Sequence, residues 1–350
     1  AAAEPFFERQ DPPGPTADGH PTSSATRIRG PILGIVSDAA AGRLRPILGL
    51  PGSAALGEPL DFPQRISRAL ICQERDYALV EAGVERRVLL LRLFDTPGAV
   101  SELRGVPAAP DLIALSPAGT AAAFFHGAEG LIRIVAGLPG RPAVFAELEV
   151  SSFARQGLTA LAVSDNGRDI LAATPQQVGE SVFLVSAAGI RFLASLGKTA
   201  GLAFAPSGEY ALLADSAARR VYEVHDVAGT ATVFLLADER QGVSRPVALA
   251  ASRDGRRVIV ANSYPGGVVV LDCKTHETEL VPCPCTPTGL DRFTGNAVFL
   301  LAGPPANPVW VLDGDSAEPR VTFVPSGGAS SPHPGLGEIR IPAPDRGRLR

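Results

Sequence analysis

Methionine is absent from the 350 residues, tryptophan occurs once (Trp310), lysine only at Lys198 and Lys274, and aromatic residues make up just 6%. With no initiator methionine ahead of Ala1-Ala2-Ala3-Glu4, the expectation is a mature chain freed of a signal peptide, in a secreted or periplasmic compartment. The near-loss of lysine in favour of arginine fits the coding bias of a GC-rich genome rather than a phosphate-binding design. Neither charge sign forms a run of five, and the net charge is −4; this argues against a nucleic-acid or anionic-membrane partner. The longest uncharged run, Phe293 to Leu312, is interrupted by Gly303, Pro304, Pro305 and Pro308, so no membrane span is expected. Helical i, i+3, i+4 apolar spacing is nearly missing as well.

Catalytic signatures are equally scarce. The chain has no Gly-x-Ser-x-Gly elbow, no phosphate-cradling glycine loop after a strand, no Cys-x-x-Cys, and no His-x-His or His-Glu-x-x-His. The usual nucleophilic, nucleotide-binding, redox and metallohydrolase spacings are therefore lacking, and no cofactor is expected.

What the chain does contain is a repeat, seen most clearly from Pro246 to Cys273. An apolar segment (Val247 to Ala251) leads into Ser252-Arg253-Asp254-Gly255; a second (Arg257 to Ala261) and a third (Val268 to Leu271) follow. The turn glycine recurs at Gly119, Gly167, Gly208, Gly255 and Gly295, at intervals of 48, 41, 47 and 40 residues. Glycine supplies the positive φ, and Asp, Asn or Ser the local side-chain bonds, of a tight reversal, so each pair of segments reads as a β-hairpin. Each is followed by another hairpin, whose leading strands begin at Ile32, Val88, Leu131, Val182, Val221, Val268 and Val309.

Four short strands per unit of about 40 to 45 residues is the pattern of β-propeller blades. The phrase LAASRDGRRVIVAN…GVVVLD resembles the repeat of bacterial β-propellers of the YVTN and WD40-like kind. That resemblance implies an all-β fold but carries no site residue with it, because the matching Asp, Asn and Gly are turn residues. The expected fold is a seven-bladed propeller over residues 30–325, between a disordered leader (1–29) and a mostly disordered tail (326–350). The opening blade lacks a first hairpin. Its segments Pro31 to Val36 and Arg43 to Leu50 read as third and fourth strands, and Gly337 to Pro342 is a C-terminal segment able to return a strand to it. The alternative is a six-bladed ring patched by the N-terminal hairpin.

Ring closure places the loops after every second strand, and the loops between blades, on one face. Ligand-binding candidates there are Glu81, His126, Asp215, Asn262, Tyr264, Arg155 and Arg245; the plainer reading is local turn bonding and a solvated rim. His126, oriented by Glu81, is the candidate acid or base. Two of Cys273, Cys283 and Cys285 are expected to form a disulfide, with free buried thiols the alternative and a zinc site drawing on Cys273, Cys72 or His276 a weaker one. Asp313-Gly314-Asp315 is read as a hairpin turn rather than a calcium loop. The function expected is a monomeric, non-enzymatic platform for a protein, peptide or glycan partner. The alternative is a lactonase-like or other hydrolase with a polar or metal-bound site at the channel mouth.

Overall fold

The computed structural model describes residues 31–94, 99–304 and 308–325. The expected leader and tail lie outside them.

The described residues fold into seven antiparallel sheets, each taking its strands in sequence order from the channel outwards. Blade one has three strands, Ile32–Asp38, Arg43–Leu50 and Ser53–Leu56. Blade two has four: Ile66–Cys72, Tyr77–Ala82, Arg87–Arg92 and Val100–Glu102. Blade three comprises Leu112–Leu115, Ala121–His126, Leu131–Ala136 and Ala143–Glu149, and blade four Ala160–Val163, Ile170–Pro175, Glu180–Ser186 and Gly189–Leu196. Blade five consists of Thr199–Phe204, Tyr210–Asp215, Arg220–His225 and Thr232–Ala237. Pro246–Ala251, Arg257–Asn262, Gly267–Asp272 and Thr278–Pro282 make blade six. Blade seven opens with the two-residue strand Asp291–Arg292 and continues through Val298–Ala302, Val309–Asp313 and Arg320–Val324.

The ring is closed by packing. Successive side chains of a strand point to opposite sheet faces, so a second strand serves two interfaces at once. In Ala121–His126, residues Ala121, Ala123 and Phe125 pack with blade four, whereas Ala122 and Phe124 pack with blade two. Seven apolar clusters arise this way, one at each junction. The cluster joining Leu33, Val36 and Ile47 to Phe293, Val298 and Val311 ties the first blade to the last. This excludes the six-bladed alternative.

The anchor turns form as their residues dictate. Ser252 Oγ accepts from Arg257 N at 2.9 Å and donates to Asp254 Oδ1 at 2.6 Å, while Gly255 N donates to Ser252 O at 3.0 Å with φ +68°. The same serine bridge recurs around Ser164 and Gly167.

Blade one differs from its sequence reading. Ile32–Asp38 and Arg43–Leu50 are second and third strands, not third and fourth. The outer position belongs to Ser53–Leu56, a four-residue strand entered through Pro51-Gly52, too short and alanine-rich to show alternation. Ile35 packs towards blade two and Leu33 and Val36 towards blade seven, the two-sided burial of a second strand. Ser53–Leu56 also lies beside Arg320–Val324, the outer strand of blade seven. Among the described residues, then, the blade lacks its innermost strand.

Candidate functional site

At the end of each second strand from blade two to blade six stands a buried polar side chain: Glu81, His126, Thr174, Asp215 and Asn262. Asp215 accepts four backbone N–H bonds. Two come from the linker that brought the chain into its blade (Gly197 at 2.7 Å, Lys198 at 3.1 Å), and two from its own turn (Ala217 and Ala218, both 2.9 Å). Asn262 holds its linker from both sides, accepting from Ser244 N at 3.1 Å and donating to Gly242 O at 3.0 Å. Thr174 donates to Gly157 O at 2.9 Å. His126 Nε2 lies 3.2 Å from Pro107 O; a carbonyl can only accept, so the ring proton sits on Nε2.

Glu81 differs in its partners. Arg86 pairs with its Oε2 at 2.7 Å and Arg68 approaches Oε1 at 3.1 Å, so a carboxylate with no solvent exposure is matched by two cations. The expected Glu81–His126 pairing is not formed: each side chain is committed elsewhere. These residues occupy equivalent positions, yet their bonding is to linkers and turns rather than to each other, and none lines a described cavity.

The other three candidates are exposed on the same face. Tyr264 stands in the turn after Asn262, its carbonyl accepting from Ser244 Oγ at 2.6 Å, and the Arg245 guanidinium lies 5.5 Å from its ring centre. Arg155 projects from the linker into blade four. Sequence reasoning missed the apolar members of this face. Val84 and Val178 occupy the matching turns of blades two and four with side chains 102% and 94% exposed, beside Tyr264 at 68% in blade six. The signal was available, since a branched aliphatic residue in a short polar turn has no packing reason to be there.

Of the cysteine candidates, Cys283 and Cys285 form the disulfide, at the junction of blades six and seven. Cys273 is a free thiol 3.9 Å from the Tyr210 hydroxyl, and burial pushes its pKa up, as it does for the free Cys72. Asp315 accepts from Asn296 N at 2.8 Å and Ala297 N at 2.7 Å, and Asp313 faces Arg320, so this segment is a clamped turn. No group of three or more His, Cys, Asp or Glu able to hold a metal occurs among the described residues.

The channel has a different chemistry. Its inner strands are mostly alanine and leucine, and a cavity of about 280 Å³ opens where the described residues of blade one include no inner strand, between Ile35–Ser37, Ala69–Glu74 and Leu290–Phe293. Asp291 faces this space. The residue is exposed as a whole, yet protein atoms crowd its carboxyl, and the dehydration holds its pKa above the usual carboxylate range.

No protein-family model and no curated protein sequence matches the chain. Solved structures similar to it include a putative 6-phosphogluconolactonase from Bacteroides uniformis, 14% identical with a TM-score of 0.57, over 84% of this chain and 96% of that one. Another is hydrazine synthase from Kuenenia stuttgartiensis, 14% identical with a TM-score of 0.51, over 87% and 99%. At such identity the likeness is one of fold, and the fold is a seven-bladed β-propeller.

Proposed function

We propose that the protein is a non-enzymatic platform whose second-to-third-strand turns present a binding face to a protein, peptide or glycan partner. The observation that carries this reading is the apolar trio Val84, Val178 and Tyr264, fully outside the core on alternate blades of one face. Behind them the polar side chains are occupied in holding linkers, which leaves them with little to offer a substrate. An aromatic ring under a guanidinium, as in Tyr264 and Arg245, is a common anchor in protein interfaces. The repeat is taken as the bacterial YVTN and WD40-like kind. An exported compartment is supported by the Cys283–Cys285 disulfide, and the protein is taken to work as a monomer.

The rival reading, a lactonase-like or other hydrolase at the channel mouth, would need His126, Asp215 or Asn262 released from its present bonds. One experiment separates the two. Peptide and glycan arrays are probed with the intact chain and with the triple variant Val84→Ser, Val178→Ser, Tyr264→Ala, alongside a lactone and ester hydrolysis screen. The platform reading expects saturable binding that the triple variant loses without a change in melting temperature. Hydrolysis proportional to protein and abolished by His126→Gln would replace it with the enzyme.

A further inference from the structure

Independently of that reading, the Cys283–Cys285 bond stands where a structural cross-link has least to hold. It spans a single residue, Pro284, whereas the loop-closure entropy that a disulfide removes from the unfolded chain grows with the length of chain enclosed. The linker that carries it is fastened at both ends by backbone alone. Pro282 is paired with Gly267 in blade six, and Thr288 N donates to Leu301 O of blade seven at 2.8 Å. Cys283 N donates in addition to Gly266 O at 3.3 Å.

Access differs between the two cysteines. Cys283 is 8% exposed and packs among Ile259, Val268 and Phe299. Cys285 is half-buried, between the exposed Pro284 and Thr286. The turn after the second strand of blade six lies tight against the pair: a Cβ on Gly266 would overlap the carbonyl oxygens of both cysteines. That contact sets the exposed ring of Tyr264 two residues from the disulfide-bearing linker.

We propose that Cys283-Pro284-Cys285 is a stoichiometric dithiol–disulfide exchange site, whose substrate is a thiol, either free or carried on a peptide. A substrate thiolate attacks Cys285 Sγ. The new S–S bond forms as the Cys283–Cys285 bond breaks, and the electron pair leaves on Cys283 Sγ, which takes a proton from water. A second substrate thiolate then attacks the substrate sulfur of this mixed disulfide and releases Cys285, which is protonated in turn. Two substrate thiols thereby become one disulfide, and their two electrons remain on the protein as a dithiol. Return to the oxidised form takes an external disulfide, such as glutathione disulfide, as oxidant. Attack falls on Cys285 because access decides which sulfur is met. In the reverse direction Cys283 is held two positions from the mixed disulfide, close enough to resolve it as an intramolecular step.

The test mixes the intact protein, native or unfolded in guanidinium chloride, with reduced glutathione or with a synthetic peptide carrying two cysteines, then quenches with acid, alkylates and maps the cysteines by mass. The native bond should be reduced no more than about 30-fold more slowly than in the unfolded chain; greater protection, the mark of a bond reached only through unfolding, would overturn the proposal. Cys283→Ser, offered glutathione disulfide, should accumulate a stable mixed disulfide on Cys285, and Cys285→Ser should accumulate at least about 10-fold less on Cys283, as its burial requires. Equal trapping in the two variants would overturn the assignment of the attacked sulfur. If either variant does not fold, the native-to-unfolded ratio of the parent decides. Tyr264→Ala separates the two sources of thiol: slower exchange with the peptide but not with glutathione supports a peptide substrate, and unchanged rates with both support a free thiol.

Discussion

Among the described residues, single side chains make bonds to the edge of blade one that strands make in the other six blades. Gln73 completes the edge of Ile32–Asp38 with two buried bonds, and leucine in its place would leave Ile35 N–H and C=O unpaired. Gln73→Leu should therefore cost about 2–4 kcal/mol, since each orphaned buried group costs roughly 1–3 kcal/mol; denaturant unfolding measures it, and faster Ile35 amide exchange localises it. At Gly255 an added Cβ would meet nothing closer than the Tyr210 hydroxyl at 3.9 Å, so the cost of a side chain is confined to φ +68°. Gly255→Val should lower stability by about 1–3 kcal/mol and Gly255→Asn by less, because asparagine tolerates this region. Equal melting of both variants and the parent would show that the turn relaxes. The turn glycines were readable from sequence because their chemistry is local. Gln73 was not: its partner lies 38 residues away, and no glycine stands in the Gln73–Asp76 turn to mark it.

Among the elements, the second strands are the ones that organise the molecule, and in blades three to six their terminal polar residues fasten the linker. The sequence placed Glu81, His126, Asp215 and Asn262 at equivalent positions but left their role open. Their partners are mostly backbone groups of linkers, which carry no residue-type signature. The chemical variety of the set was itself a clue, for glutamate, histidine, threonine, aspartate and asparagine share little except an ability to bond to the chain. Asp215→Ala should destabilise by about 1–3 kcal/mol by stranding backbone donors, and Asp215→Asn by less, as read by thermal unfolding. The turns after the third strands are fastened by Asp226, bonded to Thr230, and by Asp272, bonded to Thr275 and Lys274; these N–H donors hold both carboxyls below the usual range. Because the folded pKa lies below the unfolded value of about 3.9, their stabilisation is complete above that pH and is lost as pH falls through the depressed folded value. Melting temperature should thus drop with acidification below about pH 4, with a shallower drop in the Asp226→Asn, Asp272→Asn double variant.

For the molecule as a whole, the number of blades was legible because each blade contributes one recognisable strand to the count of seven, even though the one at Ile32 is a second strand and the other six are third strands. The order of strands in blade one was not, since Ser53–Leu56 has neither the length nor the β-branched content to be seen. The binding face was legible only by its polar members, while Val84 and Val178 emerged from exposure. The seven junction clusters also set how damage spreads. Phe124, fully buried between blades two and three, should cost about 3–5 kcal/mol when replaced by alanine, and unfolding should remain a single cooperative transition by both circular dichroism and fluorescence.

The two-sided use of each second strand has an evolutionary corollary. Deleting one residue within Ala121–His126 would turn the side chains beyond it to the opposite junction and spoil two interfaces together, whereas a residue added beside Val84 or Val178 would merely lengthen a tip. Length variation among relatives of this protein should accordingly collect on the loop-bearing face, while the strands behind it keep their reading phase.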